Sequence, residues 1–402
     1  MRLYLSSLGI VSGLGTDREQ TLEALLAERS SLARPRHIAS RHHPQLLVGE
    51  VGLSDAQMCQ MLGLDTKIVS NRTTLLAMLA VKQCLEGAGA LPPRLGLISG
   101  NTVGGMEKSE LYYKEFLDPL QDTHTAYIDA HDCGSCTEKI ADYFDVFSFI
   151  TTLSTACSSA ANAMAMGADL IRTGRLDAVV VGGTECLSKF HINGFMSLMI
   201  LNKDACAPFD AQRKGINLGE GAAYLLLESE ESLKRRGGQA LAELTGYGNA
   251  CDAYHQTASS PEGEGAFLAM SKALKMSGLK TSDIDYINAH GTGTANNDAS
   301  EARAIVRVFG PTPPPVSSTK AFTGHTTSAA GTVEAVICLL AMQQGFIPAN
   351  LNFKEQDADI GFAPVTQTRR HQNLRHVMNN SFGFGGNNSS LIFSKVEDGA
   401  HD

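Results

Sequence analysis

The sequence predicts a layered α/β protein, on three observations. Segments of strand character alternate with helical stretches from one end of the chain to the other. Short, nearly continuous apolar runs such as Ala178-Val179-Val180-Val181 suit central strands covered on both faces. The stretch that follows Cys157 is built almost wholly from Ala, Met, Leu and Gly, so it reads as a helix that is apolar nearly all round and belongs inside.

Taken in order, the strands are expected at Leu3–Val11, Leu95–Ser99, Ala178–Val181, Ala223–Leu227, Ile284–Asn288 and Leu391–Phe393. The first carries one basic residue ahead of it and is broken by Ser6-Ser7, unlike the long apolar core of a secretory leader. Gly182-Gly183 is expected to turn the chain at the end of the third. The charged run from Glu228 to Gly238 reads as a solvated helix stopped by glycine. It places a boundary near 240, giving halves 1–240 and 241–402. Gly182-Gly183 has a rough echo in Gly383-Phe384-Gly385-Gly386, which hints at duplication. Pro311 to Pro315 reads as a loop leading into a strand.

With 402 residues, 43% of them apolar and 19% charged, the chain can bury a sizeable core and is neither disordered nor fibrous. Its 33 basic and 42 acidic residues leave a net charge of −9, which argues against nucleic acid as a partner. Nowhere do about 18 uncharged apolar residues run together, so no membrane span is expected. The nine cysteines are scattered without the rhythm of a disulfide scaffold. A reducing, cytoplasmic setting follows.

Around Cys157 a strand-like approach, Leu153-Ser154-Thr155-Ala156, meets the start of the apolar helix, which Gly174 stops. A cysteine there faces unpaired backbone N–H groups and the positive end of the helix dipole, which together lower a thiol pKa. Cys157 is the nucleophile candidate. Cys84, Cys186, Cys251 and Cys338 have no such context and read as packing or loop residues. Cys133 and Cys136 have zinc-like spacing without a second pair, so no metal site is assigned.

Downstream, the strand Tyr286-Ile287-Asn288-Ala289 ends in His290, followed by Gly291-Thr292-Gly293-Thr294. A second strand-to-loop passage, from Val316 to Glu334, carries Lys320, His325 and Glu334. Strand ends are where α/β proteins place their chemistry. Two histidines in such settings, downstream of a helix-capped cysteine, point to catalysis.

Ala156-Cys157-Ser158-Ser159, His290 to Thr294, Lys320 with Gly324-His325, and Asn380 to Asn387 occur together in this order. The chain thereby resembles the β-ketoacyl-[acyl carrier protein] synthases, condensing enzymes of the Cys-His-His branch of the thiolase superfamily. The resemblance covers essentially the whole chain. It implies the thiolase-like fold, two duplicated βαβαβαββ halves stacked as a five-layered αβαβα structure. It also implies that Cys157 takes an acyl group from a carrier-protein thioester, and that His290 and His325 hydrogen-bond the malonyl carbonyl as carbon dioxide leaves. Lys320 would pair with Glu334. The amides of Cys157 and Phe384 would form an oxyanion hole with Phe384 as gate, and Thr292 and Thr294 would meet the pantetheine arm. No cofactor is implied beyond the phosphopantetheine of the acyl carrier protein. The expected partners are that carrier and a second chain, identical or related, with Asn101 to Asp145 shaping the acyl pocket near their interface.

Ser158, Asn296-Asn297-Asp298 and Phe322-Thr323 depart from common fatty-acid versions, which leaves chain length and pathway open among fatty-acid, polyketide and polyene synthesis. The alternatives are a noncatalytic chain-length-factor-like subunit, which would have lost its nucleophile, and a thiolase or ketosynthase III, against which the Lys320-to-His325 spacing argues. A dinucleotide-binding oxidoreductase is disfavoured because no Gly-x-Gly-x-x-Gly follows the first strand. Arg213, Lys214, Arg369 and Arg370 are candidates for docking the acidic carrier.

Overall fold

The computed structural model describes residues 1–38, 45–65, 71–118 and 127–396. Ten strands form its main sheet: β1 (Leu3–Ser12), β2 (Leu95–Gly100), β3 (Phe149–Leu153), β4 (Ala178–Glu185) and β5 (Gly221–Ser229), then β6 (Ala242–Cys251), β7 (Tyr286–Asn288), β8 (Val316–Ser317), β9 (His376–Phe382) and β10 (Asn387–Ser394). They lie in the order β8-β7-β9-β10-β6-β1-β5-β4-β2-β3. The first five and the last five have the same topology: a parallel trio followed by two antiparallel strands. Among the described residues, the strands of the two sets pair only where Tyr4 and Leu5 meet Glu243 and Ala242. The fold is a duplicated unit.

Five layers follow from where the helices bury their faces. Helix α1 (Arg72–Ala88) covers the outer side of the first set, in one apolar cluster with Leu97, Val180, Tyr224 and Leu226. Helices α2 (Ser159–Arg172) and α3 (Lys189–Ser197) follow β3 and β4, and α4 (Glu264–Ser277) and α5 (Ala295–Phe309) cover the outer side of the second set. Between the two sets of strands lie α2 and α6 (Ala330–Gln344), whose residues share one core cluster with both. Residues 330–342 of α6 are buried all round, as an enclosed helix requires.

The two central helices approach closely because small residues face each other. A Cβ at Gly331 would lie 2.7 Å from the Ala161 nitrogen, and one at Gly183 would lie 2.8 Å from both the Ala160 Cβ and the Ser328 carbonyl oxygen. Gly182-Gly183 therefore sits inside β4 and does not turn the chain, contrary to the expectation from sequence. Its glycines make room for the central layer. The charged run also divides differently, since Glu228 and Ser229 end β5 and the helix spans Glu230–Arg236, closed by Gly237 at φ 67°.

Candidate active site

Cys157, His290, Lys320 and His325 lie where a strand hands over to a helix of the central or outer layer, and Glu334 lies within α6 itself. Cys157 follows β3 and stands just ahead of α2. Ala156 before it is held at φ 52°, a left-handed conformation that costs a non-glycine residue energy. Two bonds to Ser159 keep it there: the Ser159 hydroxyl donates to the Ala156 carbonyl (2.6 Å) and accepts from the Thr155 N–H (2.9 Å). His325 precedes α6 in the second half as Cys157 precedes α2 in the first. Its backbone is pinned by His325 N–H to the Asn217 carbonyl (2.8 Å) and by Gly219 N–H to its own carbonyl (2.9 Å). Gly324 takes φ 69°, and a Cβ there would meet the Leu218 carbonyl at 2.6 Å.

The structure brings Cys157, His290 and His325 together. The Cys157 Sγ is 2.9 Å from His325 Nε2, the imidazole rings of His290 and His325 meet edge to face at 5.3 Å, and the ligating atoms of all three residues lie within 4.8 Å of one another. They stand at the wall of a cavity of about 440 Å³, which Thr292, Thr294 and Phe384 also line. Such a trio of atoms could also ligate a zinc-sized ion.

Burial decides the charge states. The Cys157 thiol is pushed up to about 11 by burial, against the pull of Lys320 and of the Phe384 and Cys157 N–H groups. The helix-lowered thiolate expected from sequence is thus corrected: with Cys157 only 6% exposed, desolvation outweighs the backbone dipoles. Burial, reinforced by Lys320, holds both histidines well below the ordinary imidazole range, with His325 lowering His290 and His191 lowering His325 further. At neutral pH the group is a thiol beside two neutral imidazoles.

Lys320 donates to Glu334 Oε1 at 2.5 Å, both fully enclosed, and burial raises the Glu334 carboxyl while Lys320 opposes it. Phe384 stacks on Phe195 with ring centroids 5.8 Å apart. The missing side chain of Gly383 lets that loop close on the nucleophile, since a Cβ there would sit 3.1 Å from the Cys157 nitrogen. The hydroxyls of Thr292 and Thr294 are 2.8 Å apart at the cavity wall.

Sequence reasoning missed the groups that shape the histidine loop. Glu301 accepts from the N–H groups of His290 and Gly291, both at 2.8 Å, and Asp298 accepts from those of Thr292, Gly293 and Phe209. Both acids lie in the first turns of α5, three residues apart and so on one face. That spacing directly after a glycine loop is the signal that could have found them. Arg213 is corrected as a docking candidate: its side chain is only 5% exposed and bonded to Asp357 at 2.5 Å. Lys214 is exposed and lines the cavity mouth, and Arg369 and Arg370 are exposed. Cys133 and Cys136 lie on the helix Cys133–Phe144, their thiols raised by burial to about 11 and about 12.

Within Asn101 to Asp145, the helix Met106–Phe116 lines an apolar cavity of about 950 Å³ with Tyr112, Tyr113 and Phe116, which Phe190 of α3 completes from outside that segment, and 119–126 lie outside the described residues.

Residues 5–232 match the family profile "Beta-ketoacyl synthase, N-terminal domain", and residues 241–354 match "Beta-ketoacyl synthase, C-terminal domain". The chain is 33% identical over 416 residues to a 3-oxoacyl-[acyl-carrier-protein] synthase 2 of Coxiella burnetii, covering 99% of each. Among solved structures, it superposes on the ishigamide ketosynthase/chain length factor with a TM-score of 0.93 at 31% identity, covering 98% of this chain and 99% of that one. A ketosynthase in complex with its chain length factor from Xenorhabdus doucetiae gives 0.84 at 33% identity, with 98% of each chain covered.

Proposed function

The chain belongs to the β-ketoacyl synthase family, and from that premise we propose that it condenses an acyl group held on Cys157 with a malonyl unit, both delivered as acyl carrier protein thioesters. The observation that carries this reading is the convergence of Cys157, His325 and His290 within 4.8 Å beside the N–H groups of Cys157 and Phe384.

In the first half-reaction the Cys157 sulfur attacks the carrier thioester. Its proton passes through His325 Nε2, 2.9 Å away, to the departing pantetheine sulfur. The acyl–S bond to the carrier breaks as the acyl–S bond to Cys157 forms. In the second, the malonyl thioester loses carbon dioxide, and the electron pair left behind becomes an enolate whose oxygen takes hydrogen bonds from His290 and His325. Neutral imidazoles suit that task, because they donate a proton share without a charge that water must solvate. The enolate carbon then attacks the thioester on Cys157, the oxyanion rests on the Cys157 and Phe384 amides, and collapse breaks the acyl–S bond, expelling the Cys157 sulfur as a thiolate that takes up a proton from water through His325 to restore the resting thiol. Lys320, bonded to Glu334, supplies a fixed positive field behind the histidines. Thr292 and Thr294 offer hydroxyls to the pantetheine amides, and no further cofactor is required.

Retention of Cys157 favours this reading over a chain-length-factor-like subunit. A dimer, with a second copy or a related chain, is supported by the edge strand β3, paired on one side only, and by the apolar cavity with Phe116 and Phe190 more than half exposed. The pathway is fatty-acid, polyketide or polyene synthesis. A cytoplasmic location agrees with the scattered free cysteines and with the absence, among the described residues, of a helix long and apolar enough to cross a membrane. Intact-protein mass after incubation with acyl carrier protein loaded with hexanoate tests the core of the reading. Wild type is expected to gain one acyl group and, with malonyl carrier protein, to release a β-ketoacyl product. An unchanged adduct on Cys157→Ala would refute the assignment.

A further inference from the structure

Next to the nucleophile, beginning at Ser158, lies a cluster of amides that the reaction above does not use. The side-chain oxygen of Asn387 faces three donors: the Ser158 hydroxyl at 2.8 Å, Asn162 Nδ2 at 2.9 Å and Asn249 Nδ2 at 2.8 Å. Ser158 takes the N-cap position of α2 next to Cys157 and Asn162 lies in its first turn, whereas Asn387 opens β10 and is the root of the gate loop. Its carbonyl accepts from the Gly383 N–H at 2.9 Å, closing the turn that carries Phe384. Asn162 Oδ1 in turn accepts from Asn249 and Ser389, so the cluster stitches the first half of the fold to the second.

The two N–H groups of the oxyanion hole come from opposite sides of this seam: Cys157 from the first half and Phe384 from the second. Their separation depends on what holds residues 157–158 against 383–387. Gly383 leaves room for contact there but contributes no side chain, so Asn387 supplies the polar tie. We propose that Asn387 is a positioning residue that sets the oxyanion hole by anchoring the gate loop to the nucleophile turn through its side-chain oxygen. The proposal rests on the ketosynthase reading.

The role can be separated from folding, because every donor on Asn387 has another acceptor at hand. Ser158 reaches the Thr155 carbonyl at 2.8 Å, Asn162 reaches Thr155 Oγ1 at 2.9 Å, and Asn249 reaches Asn162 Oδ1 at 3.0 Å. Asn387→Leu therefore removes the tie without stranding a buried donor. Asn387→Asp keeps it, since all three bonds are accepted by one oxygen that a carboxylate also offers.

The test measures three rates on the full-length protein: acyl loading from hexanoyl carrier protein, condensation with malonyl carrier protein, and carbon dioxide release from malonyl carrier protein alone. The first two form an oxyanion on the hole, and the third relies on the histidines. Asn387→Leu is expected to slow loading and condensation by about ten- to a hundred-fold, less than or equal to loss of a whole hole donor. It should act in kcat with KM held, and leave carbon dioxide release near wild type, while Asn387→Asp retains most of the activity. If Asn387→Leu leaves all three rates unchanged, or lowers all three alike, the positioning role is wrong while the ketosynthase reading stands. A wild-type protein that neither loads nor condenses overturns both.

Discussion

The sulfur of Cys157 and Nε2 of His325 are 2.9 Å apart, and burial pushes their proton affinities in opposite directions: the thiol upward, the imidazole downward. Each group is thereby held in its uncharged form, so the pair stores no ion at rest. The cost of a buried thiolate is deferred to the moment when a thioester carbonyl can accept the electron pair.

That arrangement makes a prediction about pH. With the Cys157 thiol raised to about 11, the thiolate fraction near neutrality is far smaller than for an ordinary cysteine and grows as pH rises towards that value. Alkylation by iodoacetamide, which needs the free thiolate, should therefore accelerate steadily from pH 7 to beyond pH 9 without a plateau near the usual thiol midpoint of about 8.5. Following the labelled Cys157 peptide against pH checks it, and a plateau below pH 8 would show that the N–H groups win over burial.

A second expectation concerns Lys320 and Glu334. Both are enclosed and bonded only through Oε1, while Oε2 of Glu334 has no hydrogen-bond partner among the described residues. Lys320→Met strands a buried carboxyl and should lower stability by about 3–5 kcal/mol. Adding Glu334→Leu removes the stranded group and should restore most of that loss. Condensation stays low in both, because the field behind the histidines is gone. Urea midpoints and condensation rates on the two variants separate the two effects.

Much of this was legible from sequence because it is local. Strand composition located six of the ten strands of the main sheet, the passage opening at Val316 located a seventh, and the glycine and proline punctuation marked the turns where Cys157, His290, Lys320, His325 and Phe384 lie. What depended on distant partners was not legible. Helix-terminus logic lowers the Cys157 thiol, yet what opposes it is burial by layers far away in the chain. Arg213 reads as a surface cation until Asp357, 144 residues on, is found against it. Gly182-Gly183 reads as a turn because nothing nearby shows that Ala160 and Ser328 need its space.

Glu301 supports a third prediction. Burial raises its carboxyl from 4.5 to about 7, while the N–H groups of Gly291 and His290 oppose the shift. The folded chain therefore holds a proton there that the unfolded chain releases above about 4.5, so this group's stabilising contribution is full below that value and is lost as pH rises through about 7. Glu301→Gln should flatten that part of the stability profile. It also turns an amide NH₂ towards one of the two backbone donors, at a cost of about 1–3 kcal/mol. Thermal unfolding across pH 4 to 8 measures both, and an unchanged slope would place the titration elsewhere.

The seam between the central helices offers the most direct test of how the fold positions the site. Ala160 lies three residues beyond Cys157 and Ser328 three beyond His325, and a Cβ at Gly183 would press on both at 2.8 Å. Neither contact can give cheaply, since one is the Ala160 Cβ close to its backbone and the other a carbonyl oxygen. Gly183→Ala must then move the start of α2, the turn ahead of α6, or both. The overpacking should cost about 1–3 kcal/mol. Because the same displacement alters the 2.9 Å approach of sulfur to imidazole, condensation should fall even at temperatures where the variant is fully folded. Gly52→Ala is the control, as a Cβ there meets nothing within 4 Å. Comparing kcat of the two variants well below their unfolding midpoints decides the matter: equal activity would mean that the seam tolerates the added carbon and does not set the distance between the reacting groups.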